Sequence, residues 1–255
     1  MNAFEEGYAF FEKQAGVQMA THLGDEYVTQ VDAEIDKLLA DLNAFGGFKT
    51  GADKLKGDIA EFWHADTFNI DAVVRGSDHR AFIDRSHDFA SADISSNFGK
   101  LFGLKYYKIG EASAKQQAKS VFERFHEYRS AGGKDTLEAF LEKRGFSDDS
   151  VLHDPIYSGQ IRIIPQDQLE TARQWLKNKI ATESTIRSEQ MERYKETLKM
   201  LSVQLEDGQG TESISLSEAD AKALAVIAKE GDIGAEELKA LGVSADQMIQ
   251  FEYLA

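Results

Sequence analysis

At 255 residues the chain can bury a sizeable core, and its 42% apolar and 29% charged residues are ordinary for a folded protein. It has no Cys, which excludes disulfides, Cys-based zinc sites and a thiol nucleophile, and its net charge of −15 argues against broad, nonspecific nucleic-acid binding. No basic-then-apolar leader opens the chain and no apolar run reaches the length of a bilayer span, so the expected location is cytoplasmic.

The first 45 residues read as helix. Val28, Val31, Ile35, Leu38, Leu39 and Leu42 recur at spacings of three and four, and Phe45-Gly-Gly-Phe48 ends the element. A second helix is expected from about Gly51 to Phe62 or a little beyond, completing a helical hairpin. From about 67 to 108 the pattern shortens. TFNIDAVVRG, HRAFIDR and LFGLKYYKI carry the β-branched and aromatic content of strands, separated by Gly, Ser, Asp and Asn.

Residues 111–130 return to helix, with Ala114, Ala118, Val121, Phe122 and Phe125 on one stripe and Gly132-Gly133 as its stop. Asp135 with Glu138 forms a capping-box pattern for a short helix ending before Gly145. A strand follows through Ile164. Pro165 pre-sets the turn into a helix carrying Leu169, Ala172, Trp175, Leu176 and Ile180. Beyond residue 181, Met191, Tyr194, Leu198 and Leu201 keep helical spacing, and EDGQG at 206–210 is a loop. Ser217 with Asp220 opens another helix, and Ser244 with Gln247 a last one.

The expected fold is α+β or α/β: a small mixed sheet flanked by helices, with an N-terminal helical hairpin and an acidic C-terminal helical region. The divisions fall at 1–50, 51–180 and 181–255. Charge follows them unevenly. Residues 1–60 carry 11 acids and 5 bases and residues 181–255 carry 15 and 7, whereas 97–134 hold eight Lys or Arg against three Glu. The acidic ends favour a protein partner, and any nucleic-acid contact is expected through the 97–134 window.

Metal-dependent phosphodiester hydrolysis needs carboxylates to hold a divalent cation and a basic group to steady charge on the phosphate. Glu61 near the end of a helix, Asp93 before a polar bend and Lys105 within LFGLKYYK suit that plan. If 101–108 is a strand, Leu101, Gly103, Lys105 and Tyr107 share one face, and a suitable register lets Asp93 meet Lys105.

These residues resemble the PD-(D/E)XK restriction-endonuclease-like core, with SADI in place of the Pro-Asp stretch and GLK in place of (Asp/Glu)-X-Lys, over about residues 55–180. The resemblance implies a central mixed sheet flanked by helices and Mg²⁺- or Mn²⁺-dependent cleavage of DNA or RNA. It also implies metal ligation by Glu61 and Asp93 and a catalytic role for Lys105. Two positions depart from the pattern. Ala92 precedes Asp93 where the family has proline, and Gly103 stands where the family has its second acid, leaving Asp71 or Glu111 as spatial substitutes.

Other groups offer weaker leads. His64 and Asp66 suit a metal if their side chains converge; otherwise, with Asn69 and Asp71, they form a polar junction. His79, Arg80 and Arg85 make either an anion site or an internally neutralised loop. Tyr106, Tyr107 and Lys108 are candidates for base stacking and phosphate contact, and Gln160 and Arg162 for lining the same cleft. Taken together, the sequence favours a protein-interaction or scaffold component of unassigned activity. The alternatives are a nuclease using Glu61, Asp93 and Lys105, and a catalytically inactive core of that shape binding nucleic acid or a protein.

Overall fold

The computed structural model describes residues 27–85, 91–147, 149–182 and 188–244. Helix α1 covers 27–43 and α2 Ala52–Val74. Strands β1 (Ala81–Ile83), β2 (Ile94–Ser96) and β3 (Leu101–Leu104) form an antiparallel meander. Helices α3 (Gly110–Gln117), α4 (Val121–Ser130) and α5 (Leu137–Glu142) lead to β4 (Ile161–Ile163), which runs parallel to β3. Helices α6 (Leu169–Thr182) and α7 (Ser188–Met200) precede β5 (Leu201–Ser202), parallel to β4, and α8 (Glu218–Glu230) and α9 (Ala235–Ala240) follow. The five-stranded mixed sheet thus has its strands in chain order, flanked by helices.

One core joins both ends of the described chain to this sheet. Leu38 and Leu42 of α1, Trp63 and Phe68 of α2, Ile94, Phe102 and Leu104 of the strands, and Leu224 and Ala228 of α8 share a single apolar cluster. Each of the Leu, Ile and Phe side chains, once buried, contributes roughly 1.5–3 kcal/mol. The stretch set apart at 181–255 therefore supplies both the fifth strand and a helix lying against α2. Among the described residues no helix is long and apolar enough to cross a membrane.

Several local expectations are corrected. Residues 67–74, expected as a strand, are the last turns of α2. That helix is buried on nearly all sides, so it shows no amphipathic stripe, and packing overrides the β-propensity of its β-branched residues. Residues 111–130 divide into α3 and α4, because Ser120 accepts from Glu123 N while the Glu123 carboxylate accepts from Ser120 N, a capping box that starts a new helix. The cap of α5 is Thr136 rather than Asp135, whose carboxylate takes Tyr128 and Lys143 instead. Val28, assigned to the apolar face of α1, is exposed, and Leu201 belongs to β5. The Ser217 cap of α8 is present, whereas the helix expected from Ser244 lies largely outside the described residues.

Buried polar groups on α2 fix its position. Asn69 accepts from Ala81 N at 2.8 Å and donates to Ala81 O at 3.0 Å, clamping the start of β1. Trp63 donates to Ile214 O at 2.8 Å, and Thr67 accepts from Ile214 N at 3.1 Å. These bonds anchor α2 between the meander and the chain leading into α8. They set where Glu61 stands relative to β3.

Candidate active site

Asp93 lies just before β2, beside the C-terminal end of β3. Its N–H donates to Phe102 O at 2.9 Å, and its Oδ2 accepts from Leu104 N at 2.5 Å. The aspartate therefore embraces Gly103 from the β2 side. Lys105, one residue past β3, continues the parallel ladder by donating its N–H to Ile163 O at 3.0 Å. Its Nζ lies 3.1 Å from Asp93 Oδ2, donates to Leu104 O at 2.6 Å and stands 4.7 Å from the centre of the Tyr157 ring. Burial pulls the Lys105 ammonium down, but Tyr157 and Asp93 more than offset it and its pKa is raised. At neutral pH this lysine is a cation.

Glu61 lines a cleft of about 550 Å³ between the first turns of α2 and residues 104–108. Burial pushes its carboxyl up to about 8, and the neighbouring Asp93 and Asp58 charges add to the rise against Lys105 and Arg85. Glu61 thus holds a proton at pH 7 unless a cation offsets its surroundings. The structure brings Glu61, Asp93 and Lys105 into one electrostatic neighbourhood. Exposed Lys54 and Lys108 and half-buried Asp58 also line the cleft.

The other expected site residues separate. Asp71 follows Glu61 by ten residues on α2, about 15 Å along the axis. It pairs with Arg75 at 2.9 Å and accepts from Glu212 N at 2.8 Å, so it cannot share a cation with Glu61. Glu111 is exposed in the first turn of α3. His64 and Asp66 diverge because their segment is helical. The buried His64 ring meets Ser213 Oγ at 2.8 Å and Tyr106 OH at 2.7 Å, whereas Asp66 pairs with Lys37. Among the described residues no three His, Asp or Glu side chains form a ready-made cation cage.

Tyr106 is buried, its hydroxyl committed to His64 and Leu216 O, so it offers no stacking face; Tyr107 and Lys108 are exposed at the cleft. Arg162 is fully buried and forks onto Glu196 Oε1 at 2.6 Å and Thr197 of α7, so no phosphate reaches it. Gln160 is buried over Gly103, where a Cβ would stand 2.7 Å from its Oε1. Beside β1, His79 meets Asp207 from the chain after β5 at 2.9 Å, and Arg80 donates to the backbone carbonyls Ser77 O and His79 O. Arg85 stands over the Phe62 ring instead.

Tyr157, expected in the turn before Gln160 and near the same cleft, does meet Lys105. Leu104 had little signal in the sequence, because it contributes backbone groups, which any residue carries. No protein-family profile matches the chain, and comparison with curated proteins and with solved structures gives no significant match.

Proposed function

We propose that the chain is a divalent-metal-dependent phosphodiester hydrolase of the PD-(D/E)XK type. The observation that carries this reading is the approach of Lys105 Nζ to within 3.1 Å of Asp93, beside a Glu61 carboxyl that burial, aided by the Asp93 and Asp58 charges, pushes up to about 8. The order of elements around it, a helix, an antiparallel meander, three helices and a parallel strand, is compatible with the mixed sheet that the resemblance implies.

The donor set suits a magnesium-like ion. Glu61 and Asp93 offer carboxylates, and such an ion takes one or two carboxylates and keeps several waters. When bound, it supplies Lewis acidity toward a phosphoryl oxygen and lowers the pKa of a ligated water. Lys105, kept charged by Asp93 and Tyr157, stabilises negative charge developing on the phosphate. Lys54 and Lys108 meet neighbouring phosphates at the rim, where exposed Tyr107 offers a ring for stacking.

The test is cleavage of single- and double-stranded DNA and RNA with Mg²⁺ or Mn²⁺. The wild type should cut, and Asp93→Ala and Lys105→Ala should each lose on the order of 10²–10³-fold in rate. Equal cutting by all three would mark a contaminant and remove the proposal. A second reading, protein interaction, draws on Phe82 and Leu101, both about half exposed and flanking Ser95 across the meander. A folded wild type that neither cuts nor binds a cation would favour it.

A further inference from the structure

Gly103 is the residue at which the GLK stretch lacks an acid, and its surroundings show what stands there instead. A Cβ on Gly103 would lie 2.7 Å from Gln160 Oε1 and 3.4 Å from Tyr157 Cδ1. Gly103 keeps an ordinary backbone conformation, absent from the positive-φ glycines, so the chain path permits a side chain here; the obstacle is the occupied space. Tyr157 also carries the Lys105 ammonium on its ring, 4.7 Å from the centre. The vacated position therefore lies on the face that Lys105 presents. Asp93 closes the other side of Gly103 through Phe102 O and Leu104 N.

Gln160 precedes β4, whose first residue, Ile161, pairs with Phe102. It therefore reaches Gly103 from the strand opposite to Asp93. A glutamine carbonyl is a hard, neutral oxygen ligand, used alongside carboxylates for divalent cations of this class. We infer that Gln160 supplies the oxygen that the Gly103 position lacks, so that the cation set of this chain is Glu61, Asp93 and Gln160. The inference rests on the hydrolase reading and deepens it. Gly103 is then glycine because the donor comes from the neighbouring strand.

The test is Mn²⁺ titration of the intact chain by calorimetry, with circular dichroism and thermal melts to confirm folding. Gln160→Ala should weaken Mn²⁺ binding about tenfold or more. Gln160→Glu should bind at least as tightly as the wild type. The exchange Gly103→Asp with Gln160→Ala, which moves the oxygen to β3, should recover affinity lost by Gln160→Ala alone. If Asp93→Ala abolishes binding while folded Gln160→Ala and Gln160→Glu both match the wild type, Gln160 is not a ligand and the inference falls, leaving the hydrolase reading intact. If the wild type itself binds no Mn²⁺ and cuts nothing, that reading falls first, and this inference with it.

Discussion

Cation binding at this site should expel the Glu61 proton. With its carboxyl held at about 8 by burial and by Asp93, Glu61 is about 90% protonated at pH 7, whereas a ligating carboxylate must be ionised. Each cation bound at pH 7 should therefore release about 0.9 proton. Competition from the proton weakens binding roughly 100-fold at pH 6, about tenfold at pH 7 and about twofold at pH 8. Affinity should thus gain about 50-fold between pH 6 and pH 8, or about 2.3 kcal/mol. Calorimetry in buffers of matched pH and different ionisation enthalpy counts the protons directly.

Glu61→Gln should release none. A metal-free arm checks the same residue. Its folded pKa lies above the unfolded one, so the stability it contributes is full below about 4.5 and is lost as pH rises towards 8. A folded Glu61→Gln should therefore gain about 1–3 kcal/mol over the wild type at pH 7 and almost nothing at pH 4, read by urea unfolding. Binding that releases no proton at pH 7, or an equal release from Glu61→Gln, would refute the assignment.

Other expectations follow from the same contacts. Burial holds the His64 imidazole down to about 3, so the unfolded chain takes a proton below about 6.5 that the folded chain refuses. Stability should fall by about 2 kcal/mol from this residue between pH 7 and pH 5, and a folded His64→Gln should show a correspondingly shallower slope in urea midpoints. Asn69→Ala removes both bonds to Ala81 and strands that residue's backbone groups. It should cost about 1–3 kcal/mol and speed hydrogen exchange in β1 before other strands. An unchanged midpoint would show that water replaces the clamp.

Helical spacing made the core face of α1 and the Ser217 cap legible, because those signals are local. The second half of α2 was not. In TFNIDAVV every residue but Asp71 is buried, so the pattern loses the periodicity that distinguishes helix from strand. The break between α3 and α4 was written in Ser120 and Glu123, yet the apolar stripe continues across it and hides it. Asp93 and Lys105 could be proposed as a pair because both belong to one meander, where register brings near neighbours together. Gln160 could be placed near the cleft only by supposing that its strand neighbours β3, which the β3–β4 pairing across three intervening helices supplies.

Charge gives a reason for a neutral donor at Gln160. Before a cation enters, Glu61 holds its proton, and the charges of Asp93 and Lys105 cancel, so the set is near zero. On the proposed reading, a divalent ion adds two charges and expels one proton, leaving the four groups at about +1. A third carboxylate in place of Gln160 would cancel that remainder. The chain carries −15 overall, so its net charge opposes an approaching phosphate. On that reading, a glutamine on the neighbouring strand would give up some cation affinity and keep the local field attractive to substrate. Gln160→Glu should therefore tighten Mn²⁺ and raise the KM for a nucleic-acid substrate, and the two effects should separate in one variant. An enzyme in which both constants improved would show that the overall acidity of the chain does not reach the site.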